Sequence, residues 1–191
     1  MRLMERAIAR AKLPVRFSQG FNPRPRMTLP LPRPVGVTGL DELLVMELDE
    51  PVEPDEAVER LRAMMPEGIV LKQARRLDAG RPLQPAAAEF RLPVEPTRGP
   101  ALSARITELS AQAHWPWTRR SPKGPQAGKA IDLRPLVAHL DFDGRTLQFT
   151  LAPQAQAWAR VEEVLALLGL DAETDRARLV RTHVRWTEPT G

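Results

Sequence analysis

IDLRPLVAHLDFDGRTLQFTL, residues 131–151, reads as two strands around a turn. Ile131 to Phe142 is mostly extended, Asp143-Gly144 is a strong hairpin signal because both residues tolerate positive φ, and Thr146 to Leu151 returns as the partner strand. Upstream, Phe90, Leu92 and Val94 alternate with Glu89 and Arg91, the pattern of a half-buried strand. Leu102, Ile106, Leu109 and Ala113 mark a helix, and Trp115 to Arg119 a short strand. Residues 120–130 (RSPKGPQAGKA) form a basic Gly/Pro loop. Downstream, Trp158, Val161, Val164, Leu165 and Leu168 form a helix closed by Gly169, and Arg178 to Trp186 is the last strand. The second half therefore reads β-α-β-β-β-α-β, a ferredoxin-like βαββαβ order with one extra short strand.

The first half repeats most of that order. Leu3, Ala7, Ile8 and Ala11 share one face of a helix over 2–12 that Pro14 ends. Met27 to Leu31 is a short extended piece, held to a sheet edge by prolines at 30, 32 and 34. Leu43 to Leu48 (LLVMEL) is a strand, and Pro54-Asp55 starts a helix with Ala57, Val58, Leu61, Met64 and Met65 as its stripe. Ile69 to Leu77 reads as a further strand. The expected fold is α+β: tandem ferredoxin-like (split βαβ) halves over 1–77 and 88–187, a linker over 78–87 and a tail over 188–191. The first half lacks its initial strand, so either a strand precedes Met1 or a partner fills the open edge.

With 191 residues, 42% hydrophobic and 27% charged, the chain has the composition of a folded domain. It has no cysteine, which excludes disulfides, thiolate metal sites and a cysteine nucleophile. No apolar run approaches the roughly 20 residues of a membrane span, and the start lacks the apolar core of a secretory signal. A cytoplasmic setting is the expectation. The net charge of +4 is segregated: +7 over residues 1–36, −8 over 37–67, +7 over 68–134 and −2 over 135–191. Arginine outnumbers lysine 24 to 4, favouring phosphate or carboxylate recognition unless base composition alone accounts for it. Segregated charge points to a polyanion or an acidic partner if the basic segments meet in space.

Two segments could carry chemistry. In SQGFNPRPR, Gly20 allows close backbone approach, Asn22-Pro23 fixes a turn, and Ser18, Gln19 and Asn22 offer neutral hydrogen-bonding groups. Arg24 and Arg26 are anion forks, and Phe21 is available to stack on a base. The alternative is a rigid connection with Phe21 in the core and solvated arginines. In KGPQAGKAIDLR, Lys123, Lys129, Asp132 and Arg134 resemble an anion-facing rim, with Asp132 and Arg134 on one strand face. A surface ion pair is the alternative. Trp115 and Trp117 project from one strand face, as core or as stacking platforms, and Arg181, His183 and Arg185 form a basic strip opposite Val180, Val184 and Trp186. No Walker loop, GxGxxG, GxSxG or Ser/His/Asp set is present. Nothing in the sequence argues for an enzyme, and no metal or cofactor is called for.

RAIARAKLPVRFSQGFNPRPRMTLPLPRPVGV (residues 6–37), LLVMEL and KAIDLRPLV with the hairpin after it together resemble the radical SAM-linked proteins, a bacterial family of unknown function, over almost the whole chain. Members occur fused to, or encoded beside, a radical SAM protein. The cluster-binding CxxxCxxC of that partner is absent here, so the resemblance implies a stand-alone accessory member. Family members begin with a strand and a His-Leu-Asp run before the first helix, and commonly carry His where this chain has Arg24. The expectation is a non-catalytic accessory protein of a radical SAM system that presents an RNA such as tRNA. About five neutralised phosphates on a single strand would give a logarithmic salt slope near −3 to −4. The alternatives are a subunit that docks on the radical SAM partner without nucleic acid, and a small enzyme using Asp132 and Arg134 on an anionic substrate.

Overall fold

The computed structural model describes residues 2–77, 83–119 and 128–187. In chain order the elements are α1 (Arg2–Arg10), β1 (Met27–Thr28), β2 (Thr38–Gly39), β3 (Val45–Met46), α2 (Pro54–Arg62), β4 (Gln84–Pro93), α3 (Gly99–Ser110), β5 (Pro116–Arg119), β6 (Lys129–Asp132), β7 (Val137–Phe142), β8 (Thr146–Leu151), α4 (Val161–Leu167) and β9 (Val180–Thr187). This is a mixed α+β protein, divided into two compact units: 1–30 with 43–82, and 31–42 with 83–190. The units do not follow chain order, because residues 31–42, grouped by sequence with 1–77, supply β2, which pairs in parallel with β9.

In the first unit α1 buries Ala7 and Ile8, and Ala11 and Leu13 after it, against Val15 and Leu61. Lys12 at φ 51 breaks the helix before Pro14 does. Arg60 of α2 donates to the carbonyls of Ala11 (2.9 Å) and Lys12, a cation at the negative end of α1. β1 and β3 pair antiparallel, Met27 opposite Met46. The expected 43–48 strand narrows to Val45–Met46, with Leu48 bridging Val15. The strand expected over 69–77 does not form. Ile69 and Val70 are exposed and the Leu71 carbonyl accepts from Arg62, so the segment has no ladder to join among the described residues.

In the second unit one five-stranded sheet runs β2-β9-β4-β8-β7, antiparallel except for β2 beside β9. α3 lies in the chain between β4 and β7, and α4 between β8 and β9. β5 and β6 form a separate hairpin-like pair inserted after α3. The inner face carries Ala88, Phe90, Leu92, Leu147, Phe149 and Leu151, which meet Leu102 and Leu109 of α3 and Val161, Val164 and Leu165 of α4 in one core. Phe90 and Phe149 stack at 5.0 Å between ring centroids. At the β7–β8 turn only Gly144 takes positive φ (91°). Asp143 instead accepts from the backbone N–H groups of Arg145 and Thr146 through its side chain.

Two boundaries expected from sequence shift. The linker was expected to reach residue 87, but residues 84–87 open β4, where small Ala87 and Ala88 fit a buried position beside β9. Lys129 and Ala130, expected in the loop, pair with Arg119 and Thr118 as part of β6. Among the described residues no helix is long and apolar enough to cross a membrane.

Candidate functional site

The SQGFNPRPR segment belongs to the first unit and forms a loop with a fixed stem. Arg26 N–H donates to the Arg16 carbonyl (2.7 Å), and Phe17 bridges Pro25. One step further out, Ser18 N–H donates to the Arg24 carbonyl (2.8 Å), while Arg24 N–H donates to Ser18 Oγ (3.0 Å). The stem is in turn stitched to the chain at Glu47 through Arg16 N–H and the Arg26 carbonyl. Gly20 sits at φ 129° with open space around it, so conformation and not crowding requires glycine there. The tip, Gln19 to Arg24, is exposed, and Phe21 is fully exposed, so it does not fill a core.

The arginines of this segment divide into two groups. Arg16 pairs with Asp49 (2.8 Å) and Arg26 with Glu47 (2.9 Å), both at the surface, where such pairs contribute roughly 0–1 kcal/mol. Arg26, read from sequence as an anion fork, is thus already engaged. Arg24 is exposed and has no partner among the described residues, and the same holds for Arg2, Arg6 and Arg10 along α1. Those three lie one turn apart, and like charges at that spacing cost about 0.2–0.5 kcal/mol a pair. A hollow of about 360 Å³ lies at the loop, lined by Arg16, Phe17, Ser18, Gln19, Gly20, Pro23 and Asp49.

The remaining candidates lie in the second unit, apart from Lys123, which falls outside the described residues. Lys129 is exposed on β6. Asp132 and Arg134 do not share a strand face. Arg134 begins the single turn Arg134–Leu136 beyond β6, and its guanidinium lies 5.0 Å from the Trp115 ring centroid. The Asp132 carboxylate is occupied in holding the chain: Oδ1 accepts from Trp115 N–H (2.8 Å) and Arg134 N–H (2.9 Å), and Oδ2 is 2.7 Å from His114 Nδ1. Burial alone would raise its pKa, but those bonds outweigh burial and lower it. Replacing Asp132 by Ala is expected to cost about 1–2 kcal/mol in a urea titration, because two backbone N–H groups lose their acceptor. An unchanged midpoint would refute this bracing role.

Trp115 is core, with its indole N–H on the Leu109 carbonyl (2.9 Å), and Trp117 packs against the same cluster. The basic strip of β9 is not one strip. A register shift at Thr182 turns Arg181 to the inner face while His183 and Arg185 stay outside. Sequence reading also passed over the outer face of the sheet. There His183, Glu89, Thr150 and His139 align across four strands, and Glu89, Thr150 and His139 with Arg91 and Gln148 line a hollow of about 380 Å³. The alternation along β4 and β8 was the available signal.

Among the described residues these features define an α+β protein that carries a braced, exposed, cationic, aromatic-tipped loop. The chain belongs to a bacterial family described as "Uncharacterized protein conserved in bacteria (DUF2344)", matched over residues 1–165. No curated protein and no solved structure matches the chain.

Proposed function

We propose that this chain is a cytoplasmic, non-catalytic accessory protein of a radical SAM enzyme system, and that it binds an RNA substrate, such as a tRNA, for that enzyme. The radical SAM link rests on the resemblance of SQGFNPRPR, LLVMEL and KAIDLRPLV to the radical SAM-linked proteins. The observation that carries RNA binding is the set of four exposed arginines, Arg2, Arg6, Arg10 and Arg24, without carboxylate partners among the described residues of the first unit. A helix rise of 1.5 Å per residue separates the α1 arginines by about 6 Å, a spacing that suits successive phosphates along one strand. Arginine forks phosphate better than lysine does.

We also read the second unit as a split βαβ domain. The order β9-β4-β8-β7, with α3 and α4 in the two crossovers, supports that reading, and β2 then extends the sheet beyond it. The fold itself does not carry the function.

Filter binding of bulk tRNA across a salt series tests the proposal. Four arginines on a single strand give a logarithmic slope near −3. Changing Arg6 and Arg10 together to Glu is expected to abolish retention at low salt. If no salt-sensitive binding is seen at low ionic strength, RNA is not the ligand. Co-purification of the neighbouring radical SAM protein from nuclease-treated lysate, lost on Arg24→Glu, would then support docking on that protein instead.

A further inference from the structure

We propose that the tip of the 16–26 loop grips unpaired nucleotides, one base lying on Phe21 and a second in the hollow beside Phe17, an inference that rests on the RNA reading above. Phe21 is held out in water by a stem that cannot relax around it. Two hydrogen bonds between Ser18 and Arg24, the Phe17–Pro25 bridge and the prolines at 23 and 25 fix the stem, so the ring's exposure is built in. Phe17, itself half exposed, walls the hollow, Ser18 and Gln19 line it with neutral hydrogen-bonding groups, and the mutually paired Arg16 and Asp49 complete the lining with Gly20 and Pro23.

The surroundings of the tip select the ligand. An apolar protein partner would meet Gln19, Asn22 and Arg24 around Phe21 rather than a greasy rim. A nucleotide satisfies all of them: its base stacks on the ring, amides reach its edge, and its phosphate meets Arg24. Bases in a duplex are already stacked on one another and offer no free face, so the site takes single-stranded or looped-out segments. The amides of Gln19 and Asn22 can donate or accept, which makes the site tolerant of base identity.

The test uses the full chain with fluorescently labelled oligoadenylate, alone and annealed to oligouridylate, at low salt. The single strand is expected to bind at least tenfold more tightly than the duplex. Phe21→Ala should weaken single-strand binding by roughly ten- to hundredfold and leave duplex binding unchanged. Phe21→Trp should keep the affinity and add a fluorescence signal that the oligonucleotide quenches. Equal affinity for the two forms, or a neutral Phe21→Ala alongside intact salt-dependent binding, would overturn the base sites while leaving RNA binding in place. Absence of binding to either form would remove both. Phe21 touches no core, so a folded circular dichroism spectrum is expected for both variants.

Discussion

Replacing Arg181 by methionine is expected to destabilise the second unit by about 3 kcal/mol, measured as a shift of the urea midpoint at constant m. Arg181 is 2% exposed, and its guanidinium forms a two-pronged pair with Glu42 (Nε to Oε1, 3.0 Å; Nη2 to Oε2) while Nη2 also donates to the Leu31 carbonyl (2.9 Å). The pair ties residues 31–42 to β9, alongside the short parallel pairing of β2 and the contact of His183 with Asp41. Space for the carboxylate is made by Gly39, since a Cβ there would collide with Glu42. Methionine fills much of the volume but strands Glu42 and a carbonyl. Glu42 retains 31% exposure and can recruit water, which holds the loss near the lower end of the range for broken buried pairs. Adding Glu42→Gln to Arg181→Met should recover part of the loss, because the stranded charge is gone. A single variant within about 0.5 kcal/mol of wild type would show that the pair contributes no net stability.

Arg181 also marks where sequence reading stopped. Strict alternation along RTHVR puts residues 181, 183 and 185 on one face, and two of them obey it. The register shift at Thr182 is a property of pairing with β4, so no local pattern announces it. The β7–β8 hairpin was legible because its turn chemistry and its pairing are both local. The segment 69–77 has a strand's composition and no strand beside it among the described residues, and whether a partner exists is not written in the segment itself. At the candidate site, the fixed turn and the special φ at Gly20 could be read from residue types. The division of the arginines could not. Arg26 and Arg24 are equivalent in sequence, and only the stitching of the stem to residues 47–49 gives Arg26 a carboxylate and leaves Arg24 without one.

Acid is expected to unfold the second unit through carboxylates that the fold holds ionised, with Glu163 and Asp175 foremost. Burial pushes the Glu163 carboxyl up, but the bonds from Arg119 (2.6 and 2.9 Å) and from the Arg160 N–H (2.8 Å) bring it below its ordinary value. The same backbone bond secures the start of α4, so this carboxylate both neutralises a largely buried arginine and caps a helix. Asp175 is lowered chiefly by the two-pronged bond from Arg98 (2.8 Å on each side), against the opposing effect of burial. Asp132, Asp143 and Asp171 are lowered as well, each by backbone N–H donors among its partners. With these five carboxyls held below their unfolded values, the unfolded chain takes up their protons first as the pH drops. The stabilisation is therefore complete above the unfolded carboxylate range of about 4, and is lost as the pH falls through the lower folded values. Thermal midpoints should stay level from neutrality down to roughly pH 5 and fall steeply below about pH 4. Glu163→Gln should lower stability at neutral pH by about 2 kcal/mol, because Arg119 keeps only a neutral partner, and should flatten the acid limb by removing one titrating group. A variant with wild-type acid dependence would mean that the Glu163 carboxyl titrates alike in the folded and unfolded chain, and that the Arg119 pair does not hold the β5–β6 insertion to α4.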